Sequence, residues 1–175
     1  MFFFVRHGQT DYSLRGGGIY RGRGADLCPL TMEGIEQIRA TAKHLALREA
    51  DLILSSPYTR AVQTAAILAG ELGCPVIVET DLHEWEPDKT GAFLDDAAAE
   101  EACVEYITNR GRYPEGEERP WETGEAVRRR VLAVLEKYRS LDKVIVVGHR
   151  MMIQAVTNTR HPEFGQIVPF DLAQA

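Results

Sequence analysis

Apolar residues follow two rhythms along this chain. Short, mostly apolar runs occupy residues 2–6, 51–55, 75–79, 143–147 and 167–170. Between them, apolar positions recur at three- and four-residue spacing. The runs read as strands, and the spaced positions as helices with one buried face. Phe2-Phe3-Phe4-Val5 is apolar on both faces, as suits a parallel sheet covered on both sides.

Thr31 is placed to cap a first helix, with Glu33 in its first turn, where negative charge suits the dipole. Ile35, Ile38, Ala42 and Leu45 form its predicted buried face. A second helix is expected from Ser56 as N-cap and Pro57 at the first helical position, where a missing N–H does no harm. Ala61, Ala65, Leu68 and Leu72 are its apolar stripe, and Gly73 ends it. A third is expected over about 95–109, with Cys103, Tyr106 and Ile107 on one face. Thr123 caps a fourth, burying Val127, Val131, Val134 and Tyr138, and residues 151–158 form a short fifth. Residues 8–30, 80–94 and 110–123 read as irregular. The first of these carries Gly16-Gly17-Gly18 with Arg15, Arg21 and Arg23, and a loop of that length in a compact domain points to function. Strands and helices alternate, so the class is α/β with a mostly parallel sheet, in one domain over residues 1–175.

In such sheets, ligands bind beyond the carboxyl ends of the strands. Three ends carry polar signatures: Arg6-His7-Gly8, Ser55-Ser56-Pro57 and Gly148-His149. Phosphoryl transfer needs cations around a dianionic group, and the planar fork of Arg binds two oxygens at once. A neutral imidazole can attack phosphorus, and a carboxylic acid can protonate the leaving oxygen. Arg6, His7, Arg60, Glu84 and His149 fill that list. Glu86 and Asp88 share the stretch with Glu84 and are rival proton donors.

Val5-Arg6-His7-Gly8-Gln9-Thr10 resembles the Arg-His-Gly signature of the histidine phosphatase superfamily, which includes the cofactor-dependent phosphoglycerate mutases. Asp26 with Pro29-Leu30-Thr31-Met32-Glu33-Gly34 resembles another family segment, with one residue of spacing difference. Leu54 to Ala65 is similar to the second signature, Leu82-His83-Glu84 to its Leu-x-Glu, and Val146-Val147-Gly148-His149 to its last. The resemblance implies a three-layer α/β/α sandwich with a mostly parallel central sheet, phosphoglycerate mutase-like. It implies His7 as the phosphorylated nucleophile and Arg6, Arg60 and His149 around the phosphoryl group. Glu84 becomes the general acid, then the base for attacking water. Gly8 lets the backbone approach phosphate, and Gln9 and Thr10 continue the substrate-binding segment. No metal or other cofactor is implied.

Two positions depart from the family pattern. Ser13 stands where Asn is common, and its hydroxyl still offers one hydrogen bond to phosphate. Arg150 stands where Gly is common. It is either strained there, if the backbone needs positive φ, or an added cation facing substrate. Arg15, Arg21 and Arg23 either reach substrate or form a solvated basic loop. Trp85, Tyr113 and Trp121 either wall the pocket or belong to the core.

Composition narrows the partners. A net charge of −6 disfavours nucleic acid and anionic membranes, which want a basic face. Cys28, Cys74 and Cys103 match no disulfide or zinc framework, and no apolar run reaches membrane-spanning length. A cytoplasmic protein acting on a phosphorylated small molecule is expected, with the oligomeric state open. Hydrolysis of phosphomonoesters through phosphohistidine leads. Mutase-type phosphoryl transfer, a metal-dependent hydrolase and a non-catalytic phosphate-binding module are the alternatives. The chain is short where the mutases carry segments that enclose substrate, which favours attack by water.

Overall fold

The computed structural model describes residues 1–13, 26–90 and 95–174. Strands β1 (Phe2–Arg6), β2 (Leu52–Ser55), β3 (Val76–Val78), β4 (Val144–Gly148) and β5 (Ile167–Phe170) form one sheet in the order β3-β2-β4-β1-β5. The first four are mutually parallel, and β5 runs antiparallel on the edge beside β1. Helices α1 (Met32–Ala42), α2 (Thr59–Leu72), α3 (Asp96–Thr108), α4 (Gly124–Lys137) and α5 (Arg150–Thr157) complete the fold.

Strand alternation divides the core between the two faces of the sheet. Phe2, Phe4, Leu52, Leu54, Val144 and Val146 pack with Val127, Val131 and Val134 of α4 and Met152 and Ile153 of α5. Val5, Ile53, Ile145 and Val147 pack with Ile38 of α1 and Ala61, Ala65 and Leu68 of α2. Each fully buried aliphatic or aromatic side chain contributes about 2 kcal/mol. The expected sheet covered on both faces is therefore the observed one. Trp85 and Trp121 are core residues, and half-buried Tyr113 packs beside them.

Several local expectations need correction. Helix α2 begins at Thr59 with Tyr58 at the N-cap, so Ser56 is not the cap and Pro57 lies ahead of the helix. Ser56 Oγ is engaged elsewhere, as described below. Leu45 is exposed, because α1 stops at Ala42 and a 3-10 turn from Leu45 to Leu47 buries Leu47 instead. Ile107 is exposed, so α3 buries Tyr106 and half-buries Cys103. Part of the stretch expected to be irregular forms a 3-10 turn over Thr80–Leu82. Thr31 and Thr123 do cap α1 and α4, each accepting from the N–H three residues on. Among the described residues no helix is long and apolar enough to cross a membrane.

Candidate active site

β2, β4 and β1 lie side by side and parallel, so their carboxyl ends share one edge. The ladder continues one residue past each strand. The N–H of His7 donates to Gly148 O at 3.0 Å, and that of Ser56 donates to Val147 O at 3.0 Å. Backbone bonding therefore carries His7, Ser56 and His149 to one place before any side chain contributes.

His7 is buried, and its Nδ1 lies 2.8 Å from Gly8 O. A carbonyl can only accept, so Nδ1 carries the proton and Nε2 keeps its lone pair. Thr10 Oγ1 stands 3.4 Å from the same Nδ1. Burial, then the charge of Arg60, lowers the pKa of His7 to about 3, and the imidazole is neutral at neutral pH. Gly8 is tied down in turn. Its N–H donates to Thr64 Oγ1 at 3.2 Å, and that hydroxyl donates to Arg60 O at 2.8 Å.

The reason for glycine at position 8 lies in α1. A Cβ there would stand 2.5 Å from Gly34 O, so the loop and the first turn of α1 cross without side chains. The sequence suggested close approach to phosphate; the structure adds close approach to Gly34. Gln9 braces the same crossing, its Oε1 accepting from the Thr31 hydroxyl at 2.8 Å and its N–H donating to Gln37. Ser13 is exposed, and its N–H donates to Asp11 Oδ1. Arg15, Arg21 and Arg23 lie outside the described residues.

His149 is fully buried, 5.1 Å from His7 between ring centroids. Its Nε2 is 2.7 Å from Ser56 Oγ, and its Nδ1 has no partner. Burial and Arg60 hold its pKa well below the usual value, so it too is neutral. When the Ser56 hydroxyl donates to Nε2, the proton of this neutral ring sits on Nδ1, which has no partner among the described residues. Ser56 thus has a role that the sequence reading gave to helix capping. Its place beside Arg60's signature was visible; its bond across the sheet was not.

Arg60 is buried in the first turn of α2, its guanidinium 4.8 Å from the Tyr58 ring. Arg6 is half-buried and held in place by Pro162 and Phe164. Its Nη1 donates to Pro162 O at 2.8 Å, and Phe164 lies 3.9 Å beneath its Cζ. Nothing in the sequence pattern marked Pro162, Phe164 or Tyr58 as supports. Among the described residues, four buried side-chain nitrogens or oxygens have no partner: Arg6 Nε, Arg60 Nε, His149 Nδ1 and Arg150 Nε. All four are nitrogens at the ends of the three central strands or the helices they start.

Glu84 docks on the N-terminus of α5. Its Oε1 accepts from the N–H of Met152 at 3.0 Å and of Trp85 at 2.9 Å, and its Oε2 from Met151 at 3.3 Å. The N-cap residue His149 makes no side-chain cap bond, so the Glu84 carboxyl supplies the acceptor oxygens for the free N–H groups of this helix end. Arg130 of α4 brackets the segment from outside. It donates to the carbonyls of Asp81, His83 and Glu84 and forms a 2.8 Å ion pair with buried Glu122. Asp88, by contrast, accepts from Thr90 N in a local turn, whereas the charge of Glu86 is felt at the Tyr58 phenol, whose pKa is raised chiefly by burial. Arg150 opens α5 in helical conformation, which removes the strained alternative. Among the described residues no three His, Cys, Asp or Glu side chains are grouped to hold a metal ion.

A family model described as the histidine phosphatase superfamily (branch 1) matches residues 2–166. The chain belongs to this superfamily. Its relatives include a Bacillus subtilis protein named uncharacterized phosphatase PhoE. That protein is 30% identical over 155 residues, 87% of this chain and 72% of the relative. A glucosyl-3-phosphoglycerate phosphatase of Mycolicibacterium vanbaalenii is 42% identical over 81 residues, 46% of this chain and 34% of the relative. Among solved histidine phosphatase structures, the native mycobacterial glucosyl-3-phosphoglycerate phosphatase superposes with a TM-score of 0.65 at 26% identity. The match covers 89% of this chain and 76% of that one.

Proposed function

We infer that this histidine phosphatase hydrolyses phosphomonoesters through a phosphohistidine formed on His7. The observation that carries the reading is a neutral, buried imidazole whose proton is held on Nδ1 by Gly8 O. It stands among buried nitrogens that have no hydrogen-bond partner among the described residues. His7 Nε2 attacks phosphorus; the P–N bond forms as the ester P–O bond breaks. The leaving oxygen takes a proton from Glu84 and departs as an alcohol. Water then attacks the phosphohistidine, giving its proton to Glu84. The P–N bond breaks, inorganic phosphate leaves and His7 is restored. Arg6, Arg60 and the Nδ1–H of His149 neutralise charge on the transferring oxygens.

The family membership and relatives named as phosphatases support this reading. The placement of Glu84 at the start of α5, one helical turn from His149, supports it over Asp88 as proton donor. A cytoplasmic setting belongs to the same proposal, supported by the free thiols of Cys74 and Cys103. The test is phosphate release from a panel of phosphomonoesters by wild type and His7→Ala, with and without EDTA. His7-dependent, EDTA-insensitive release is expected. Transfer to an acceptor alcohol without release points to a mutase; binding without turnover points to a phosphate-binding module.

A further inference from the structure

Four rings stand in file across the candidate site. Between centroids, Phe164 lies 5.8 Å from His7, His7 lies 5.1 Å from His149, and His149 lies 5.1 Å from Tyr58. The planes are tilted by 45°, 62° and 59°, so no pair stacks face to face. The two outer rings each carry an arginine. Arg6 Cζ lies 3.9 Å from the Phe164 centroid, and Arg60 Cζ lies 4.8 Å from that of Tyr58. Among the described residues no other arginine lies over an aromatic ring. Two similar units therefore face each other: Arg6, Phe164 and His7 on one side, and Arg60, Tyr58 and His149 on the other.

Neither outer ring belongs to the core. Phe164 and Tyr58 are half-buried, and neither joins the apolar clusters on the two faces of the sheet. Their backbones are nonetheless pinned. The N–H of Gly165 donates to Arg6 O at 2.9 Å, and Gly165 O accepts from the Thr41 hydroxyl at 2.9 Å. Phe164 is thus tied to β1 and α1 through its neighbour. Tyr58 is the N-cap residue of α2, and its N–H donates at 3.4 Å to Ser56 Oγ, the same oxygen that meets His149.

How an arginine is held decides what it can still bind. Arg130 is held by its edge: Nε, Nη1 and Nη2 all donate to carbonyls or to Glu122. A guanidinium held by its face keeps its in-plane N–H groups. Arg6 spends Nη1 on Pro162 O and keeps a buried Nε without a partner. Arg60 makes no side-chain hydrogen bond among the described residues, and its Nε is also buried.

We propose that Phe164 and Tyr58 are positioning residues of the phosphoryl-transfer step. Each fixes one arginine through its face and one histidine through ring contact. The arginine donors and His7 Nε2 are thereby preset for the transferring group. The proposal rests on the phosphohistidine reading for the step that is served. Preset donors act most where charge develops, so the rings should govern kcat more than KM.

The test removes each ring and then restores it. Phe164→Leu and Tyr58→Leu should each lower kcat for a simple aryl phosphate about tenfold and leave KM within about twofold. Phe164→Tyr and Tyr58→Phe keep the rings and should recover most of that loss. A second arm needs no turnover and reads only folded protein. It compares calorimetric affinities for inorganic vanadate, which takes the five-coordinate geometry of transferring phosphorus, and for inorganic phosphate. The Leu variants should weaken vanadate about tenfold more than phosphate. Wild-type kcat in the Leu variants would overturn the proposal. So would equal weakening of vanadate and phosphate, or ring-keeping variants as impaired as the Leu variants. Phosphate release that persists in His7→Ala would instead sink the phosphohistidine reading, whichever way the ring variants behave.

Discussion

Arg128 and Arg130 stand two residues apart on α4 and face opposite circumstances. Arg130 meets a buried carboxylate and three carbonyls, and it fastens the segment that carries Glu84. Arg128 meets one carbonyl and opens onto a groove that Arg110, Arg112, Arg150 and Arg160 also line, none of them ion-paired among the described residues. The first neighbourhood is closed, paired and held by bonds from several elements. The second is open and cationic. Paired groups hold a site in place; unpaired ones are left to act on what enters it. The candidate site joins the two, since its backbone is tied by ladder bonds while four buried nitrogens have no partner among the described residues.

Acid should separate the regions most strongly. His7 has its folded pKa lowered to about 3, and His149 is also lowered, so the unfolded chain binds their protons first. Their contribution to stability is complete above the ordinary histidine pKa and is lost as pH falls from about 6.5 toward 3. The slope approaches about 1.4 kcal/mol per pH unit for each histidine. Urea denaturation across that range should be steeper for wild type than for His7→Gln. Parallel curves would mean that His7 is not held neutral by the fold.

Removing Arg130 comes next. Arg130→Leu leaves Glu122 buried without its cation and should cost about 3 kcal/mol in denaturant unfolding. It should also lower kcat, because Glu84 loses its bracket. A variant as stable as wild type would remove the contrast with Arg128. Gly8→Ala should cost about 2 kcal/mol, since its Cβ meets a backbone carbonyl rather than a movable side chain. Thermal unfolding decides this, and pairing with variants of Gly34 would show the two positions coupled. The smallest effect belongs to the open side. Arg110→Gln/Arg160→Gln should change stability by less than about 0.5 kcal/mol, because both side chains are exposed and neither forms an ion pair among the described residues.

The closed side was partly legible in the sequence. Short apolar runs ending in Arg6-His7, Ser55-Ser56 and Gly148-His149 announce which strand ends carry polar groups, because strand length and polarity are local properties. Caps at Thr31 and Thr123 follow from the same local chemistry. Ser56 misled for the opposite reason. A serine before proline is a good local cap, yet its hydroxyl is taken by His149, ninety-three residues away in the chain. Leu45 failed because helical spacing was extended past the point where α1 turns into a 3-10 segment. Arg130, Phe164 and Pro162 were invisible, since their roles exist only through contacts between distant elements. The groove is the extreme case. Arg110, Arg128 and Arg160 come from three separate stretches, and no window of sequence brings their charges together.

The most direct test of the account is to trap the enzyme during turnover and locate the phosphoryl group. Wild type mixed with a hydrolysable phosphomonoester, quenched in alkali and mapped by mass spectrometry, should carry one phosphoryl group on His7. The label should be acid-labile and absent from His7→Ala. A label on another residue, or phosphate release that persists in His7→Ala, would contradict the central claim.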